Sequence, residues 1–179
     1  MRRSATMWLP SPSRPGHKQA MIDPTAQIDS LAHVDPSATI GAGTCVWQFV
    51  VVLADARIGR DCNLNAHTLV EGGAILGDRV TLKSGVYVWA GVELADDVFC
   101  GPNAAFTNDK YPRSRHRPAD RPNTYVGRGA SIGAGAVILP GVTIGERAMI
   151  GAGSVVTGDV AAGATMVGNP ARAIARRPA

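Results

Sequence analysis

Chemistry in this sequence can begin with one histidine. Of the four, His17 lies near the start, His33 in an early repeat and His116 in a polar insertion, while His67 sits in the middle of a regular repeat. An imidazole, with an unperturbed pKa of about 6.5, can take up a proton near neutral pH. Asn103 follows Gly101 and Pro102, just ahead of the insertion Thr107-Asn108-Asp109-Lys110-Tyr111-Pro112-Arg113-Ser114. The side chains around it suit a phosphorylated, hydroxyl-rich ligand. Lys83, Lys110, Arg113, Arg115 and Arg117 offer charge for a diphosphate. Trp47, Trp89 and Tyr111 offer flat surfaces for a base or a sugar, and Asn103, Asn108, Asp109 and Glu71 can read hydroxyls. The bland alternative is a set of solvated charges. The length of the insertion argues against pure filler, because structureless loops this long are uncommon.

Something regular must position these groups. Starting at Ile22 and stepping by six, every position to Phe106 is apolar. The pattern resumes at Val126 and runs to Val156, giving 21 anchors in phase. Four residues after each anchor stands a small or β-branched residue, as in Ala38, Cys62, Val86 and Ala136. A period of six fits neither an amphipathic helix nor a hairpin meander. It fits a solenoid of short flat strands that meet at tight corners, with anchor and small residue both pointing inward. An ordinary β-sandwich would show period two and irregular loops instead.

Composition agrees. Hydrophobic residues make up 45% but aromatics only 5%, and there are 21 glycines, which suits narrow repetitive packing. The net charge of +4 is concentrated in residues 1–20, which carry Arg2, Arg3, Arg14 and Lys18 and no acid. The high pI is therefore largely a tail effect and argues little for nucleic acid. That Ser/Pro/Arg-rich tail reads as disordered and lacks the apolar run of a signal peptide. Met21, directly before the repeat, is one candidate start. No run approaches a membrane span. Cys45, Cys62 and Cys100 show no metal spacing, and an odd number fits reduced thiols in the cytoplasm.

The repeat resembles that of the hexapeptide-repeat acyltransferases, over residues 21 to about 172. The blocks VWQFVVVLADARIG, GDRVTLKSGVYVWAGVELADDVFCGPN and FTNDKYPRS resemble, more specifically, N-acetyltransferases acting on nucleotide-linked 3-amino sugars. The resemblance implies a left-handed parallel β-helix of about seven coils, with three hexapeptides per coil, one long loop excursion (107–125) and a short C-terminal cap. It implies a prism over 21–162 and a closing segment over 163–179. It also implies acetyl-CoA as co-substrate, no metal, and a homotrimer with sites between subunits. Within the subgroup, Trp47-Gln48-Phe49 and Lys83-Ser84-Gly85 look more like the branch acting on dTDP-3-amino-3,6-dideoxyhexoses than the UDP-3-amino-glucuronate branch.

Coils of eighteen residues stack residues eighteen apart. Phe49, His67, Gly85 and Asn103 then form one outward column, and Trp47, Asn65, Lys83 and Gly101 its neighbour. With strands about 4.8 Å apart, His67 and Asn103 flank a slot at the bare Gly85. His67 either accepts the proton released when an amine attacks a thioester, or only binds ligand. An oxyanion would most simply meet a backbone N–H near a corner. The catalytic pair is thus His67 and Asn103. The expected sugar-nucleotide ligands are Trp47, Glu71, Lys83, Ser84, Gly85, Trp89, Asn108, Asp109, Tyr111 and Arg113. The donor is expected along Gly133, Ala134, Gly151 and Ala152, where small residues admit a pantetheine arm or serve only the corners. Gly163 to Arg172 looks like the family's closing motif, with a short helix expected from Ala171. Arg172, Arg176 and Arg177 either meet coenzyme A phosphates or stay solvated. A zinc carbonic anhydrase would need three histidine ligands, for which only His33, His67 and His116 are at hand. A non-catalytic prism would have little need of the loop.

Overall fold

The computed structural model describes residues 21–115 and 122–175. The tail, His116, Arg117, Arg176 and Arg177 lie outside them. The described chain forms 22 short strands and no helix. They wind as a left-handed parallel β-helix of about seven turns. Three sheets of nine, seven and six strands form the faces of a prism, parallel but for the last pair of the nine-stranded sheet, and each interior strand pairs with those one coil before and after it. The register is eighteen residues before the loop, as in Thr81 against Asn63. Across the loop it becomes 32, as in Phe99 against Ser131.

The hexapeptide phase explains the interior. Anchors such as Leu64, Leu82, Leu94, Ile132 and Ile150 are 0–1% exposed. The small residues four positions later close the gaps between them, and Ala56, Val86, Ala130 and Ala136 are fully buried. Among the described residues, anchors lose their cover only in the first coil, where Ile22 and Ile28 are 38% and 37% exposed. Polar residues at the small position are mostly spent on corners. Thr44 Oγ1 donates to Gly59 O at 2.8 Å and accepts from Cys62 N at 3.0 Å. Thr68 Oγ1 is buried without a partner among the described residues. Burial pushes the Cys62 thiol up and the Cys100 thiol up to about 12, so neither is a nucleophile at neutral pH.

Coils approach so closely at the corners that some admit no side chain. A Cβ on Gly133 would lie 2.5 Å from Ala152 N and 2.7 Å from Gly151 C.

The expected short helix from Ala171 is absent. Thr165–Val167 instead pairs antiparallel with Arg172–Ile174. Ala171 N–H bonds to Val155 O at 2.8 Å and Ala171 is buried, so the chain reverses against the last coil. The returning strand covers an edge that a helix would leave open.

The edge joining the six- and nine-stranded faces carries an ion-pair ladder. Arg79 contacts Asp97 through two bonds of 2.6 and 3.0 Å and reaches Asp96 at 3.6 Å. Arg128 meets Asp96 at 3.4 Å, and Arg60 meets Asp78 at 3.3 Å. Hydrogen bonds from Arg79 hold the Asp97 carboxyl below the usual range. Such a group adds stability above its unfolded pKa and loses it as pH falls through the lower folded value. Both side chains are largely solvated, so the effect is small. Asp97→Asn is expected to shrink the fall in melting temperature between about pH 6 and pH 3. Melting curves across that range check it, and an unchanged fall would remove Asp97 from the acid response.

Candidate active site

The edge joining the nine- and seven-stranded faces gathers most of the residues singled out above. Its corners are residues 47–50, 65–68, 83–86, 101–104, 133–136 and 151–154, each between a strand of one face and a strand of the next. His67, Lys83, Ser84, Gly85 and Asn103 therefore share one edge with Gly133, Ala134, Gly151 and Ala152. From residue 47 onward the outermost corner position is left-handed: Phe49, His67, Gly85, Asn103, Gly135 and Gly153 have φ of 61°, 63°, 77°, 57°, 65° and 68°. The Phe49 and His67 rings are stacked, with centroids 5.1 Å apart and planes 15° apart. His67 is exposed, and its ring nitrogens have no hydrogen-bond partner among the described residues.

The slot at Gly85 is narrower than the column arithmetic suggests. Asn103 Oδ1 leans against the side of Gly85 where a Cβ would stand. The same device recurs at Asp61 beneath Gly43 and at Asn123 beneath Gly91. A structural reason for the asparagine therefore exists alongside any chemical one.

Backbone donors differ along this edge. The N–H groups of Asn103, Gly135 and Gly153 bond to Ser84, Pro102 and Ala134 carbonyls of the preceding coil at 3.0, 2.9 and 2.8 Å. Those of His67 and Gly85 make no such bond among the described residues. Further along, the close approach of the next coil accounts for Gly133 by itself. Gly135 and Gly153 have nothing within 4 Å of an added Cβ, so they are where the backbone is bare to an incoming ligand.

The remaining candidates lie elsewhere. Glu71 and Trp89 stand on the edge joining the seven- and six-stranded faces, from which the loop springs. Six residues of chain separate adjacent edges, at most about 20 Å. Glu71 Oε2 accepts from Ala90 N at 2.8 Å, and Trp89 Nε1 donates to Phe106 O at 2.9 Å. Tyr87 meets Trp89 edge-on at 5.9 Å. These contacts brace the root of the loop. On the loop, Asp109 Oδ1 accepts from Tyr111 N, Lys110 lies 5.9 Å from the Tyr111 ring centre, and Tyr111 and Arg113 are exposed. Asn108 is half-buried. Trp47 starts on the His67 edge, but its indole turns onto the nine-stranded face, where Nε1 donates to Asn63 Oδ1 at 2.8 Å. Asn63 was not among the expected site residues, because only a paired acceptor beneath Trp47 gives it away. Arg172 sits on the terminal hairpin and bonds to Ala171 O. No group of three metal-ligating side chains converges among the described residues.

Two family descriptions match the repeat. Residues 56–90 match the hexapeptide repeat of succinyl-transferase, and residues 123–158 the bacterial transferase hexapeptide. The acetyltransferase domain of PglB from Neisseria gonorrhoeae FA1090, solved with acetyl coenzyme A, is 29% identical with a TM-score of 0.56, over 84% of this chain and 58% of that one. A mutant of perosamine N-acetyltransferase from Caulobacter crescentus, solved with CoA and GDP-perosamine, is 27% identical with a TM-score of 0.53, over 85% and 57%. UDP-3-O-acylglucosamine N-acyltransferase of Polynucleobacter asymbioticus is 29% identical over 80 residues, 41% of this chain and 22% of that protein. The chain thus spans under two thirds of each of these relatives. Repeat, fold and relatives together make the chain similar to the hexapeptide-repeat acyltransferases.

Proposed function

We propose that this protein is an N-acetyltransferase that moves acetyl from acetyl-CoA to the C3 amine of a nucleotide-linked amino sugar. The substrate we favour is a dTDP-3-amino-3,6-dideoxyhexose, on the strength of Trp47-Gln48-Phe49 and Lys83-Ser84-Gly85. The observation that carries the reading is continuity along one edge. An exposed imidazole at His67 leads, coil by coil, into the bare corners Gly135 and Gly153. An extended donor lying on those corners would bring its thioester towards His67.

The chemistry follows from the groups present. The neutral C3 amine attacks the thioester carbonyl, and a C–N bond forms. His67 accepts the proton that the nitrogen sheds. The unbonded Gly85 N–H would meet the oxyanion, and the C–S bond then breaks to release coenzyme A. Holding both substrates in register supplies a large share of the rate. The loop, rooted on the next edge, would close over the nucleotide in a homotrimer, reaching the site of a neighbouring copy. In support, the PglB domain was solved with acetyl coenzyme A and the perosamine enzyme with a nucleotide-linked amino sugar.

The test is acetyl transfer measured against a panel of dTDP- and UDP-linked amino sugars. The highest kcat/KM is expected for a dTDP-linked 3-amino sugar. A preference for the UDP-3-amino-glucuronate series would move the protein to the other branch. Acetylation of serine or an antibiotic, with no turnover of any nucleotide sugar, would refute the substrate class.

A further inference from the structure

Nine described residues other than glycine adopt positive φ. Eight are polar: Asp55, Asp61, Asp97, Arg79, Arg115, Arg147, His67 and Asn103. Phe49, at 61°, is the one apolar member. Left-handed backbone crowds a bulky side chain, whereas Asn, Asp and His tolerate it better. Burial does not repay Phe49 either, because half of its surface is exposed. Local conformation and core packing both argue for another residue at this corner. An observed outlier of this kind is a legitimate starting point for a functional hypothesis.

The contact of Phe49 supplies the reason. Its ring lies nearly parallel to the His67 imidazole at 5.1 Å. A histidine that moves protons is commonly oriented by a carboxylate or carbonyl on its second nitrogen. His67 has no such partner among the described residues. We propose that Phe49 is the positioning residue of His67. The stack fixes the plane of the imidazole and covers one of its faces. The other face looks along the column towards Gly85, which has no side chain, and the ring nitrogens are left at the edge for the substrate amine. This assignment rests on the amine-acetylation reading given above, but its geometric half can be measured without any activity.

The test uses Phe49→Asn, Phe49→Tyr and His67→Asn in the full-length protein. Phe49→Asn suits the corner backbone, so its melting temperature should stay within about 4 °C of the parent. Its kcat should fall on the order of tenfold, part of what a placed base contributes, with KM for both substrates within about twofold. Phe49→Tyr, which keeps the ring, should restore kcat. In NMR spectra the His67 ring protons should carry a ring-current shift that Phe49→Asn abolishes and Phe49→Tyr retains. Parental kcat in Phe49→Asn, with His67→Asn impaired, would overturn the proposal. Parental turnover in His67→Asn would instead sink the base role itself. The ring-current shift then decides the stack alone, and its absence from the parent protein would overturn it.

Discussion

His67→Asn is expected to lower kcat for acetyl transfer by about a hundredfold, the lower end of what a positioned general base contributes. Asparagine is the informative substitution because position 67 is left-handed, with φ of 63°. Alanine there would mix backbone strain with the loss of the proposed base, while asparagine tolerates the conformation and cannot accept a proton. The exposed side chain makes no hydrogen bond among the described residues, so fold stability should barely change. KM for acetyl-CoA should hold, because the bare corners assigned to the donor lie three and four coils further on, at Gly135 and Gly153. Release of coenzyme A thiol, followed at saturating sugar, reads the effect directly. Turnover within about threefold of the parent would mean that proximity alone drives the reaction. Asn103 gives a useful contrast. Its Oδ1 packs against Gly85 in a corner device that recurs at Asp61 and Asn123, so Asn103→Asp, which keeps that oxygen, should be milder.

The fold was legible because each inward position is written twice per hexapeptide, once as a large anchor and once as a small residue. Stacking then adds a constraint at eighteen residues, which by itself sets Phe49 next to His67, where the two rings stack. What failed to show was the direction of long side chains. Trp47 belongs to the His67 edge by backbone position, yet its indole is drawn onto a face by Asn63. Glu71 and Trp89 look like ligands by type, but the peptide N–H of Ala90 and the carbonyl of Phe106 claim them. The two edges are only six residues apart, so the sequence reading pooled groups that the prism separates. The terminal hairpin escaped for another reason. Its antiparallel pairing answers the exposed edge at Thr165–Val167, a tertiary demand with no hexapeptide phase to announce it.

Leu82→Ala tests the solenoid itself and should cost about 2–5 kcal/mol of stability, the range for emptying a fully buried leucine site. Leu82 is 0% exposed, and its strand is paired on both sides, with Asn63–Leu64 and with Phe99–Cys100. The cavity would therefore open between two coils at once. Collapse is hindered, because the backbones are held at strand spacing by hydrogen bonds from Asn65 N to Leu82 O and from Lys83 N to Cys100 O, both 2.9 Å. The matched control is Ile28→Ala, an anchor of the same phase in the first coil. Ile28 is 37% exposed and its strand has a partner on one side only, so its loss should cost under about 1 kcal/mol. In a one-dimensional stack each coil answers chiefly to its neighbours, so position along the axis sets the cost as much as residue type. Denaturant unfolding of both variants measures the difference. Equal costs would contradict a solenoid whose stability is built coil on coil, since a globular core would not rank anchors by their distance from one end.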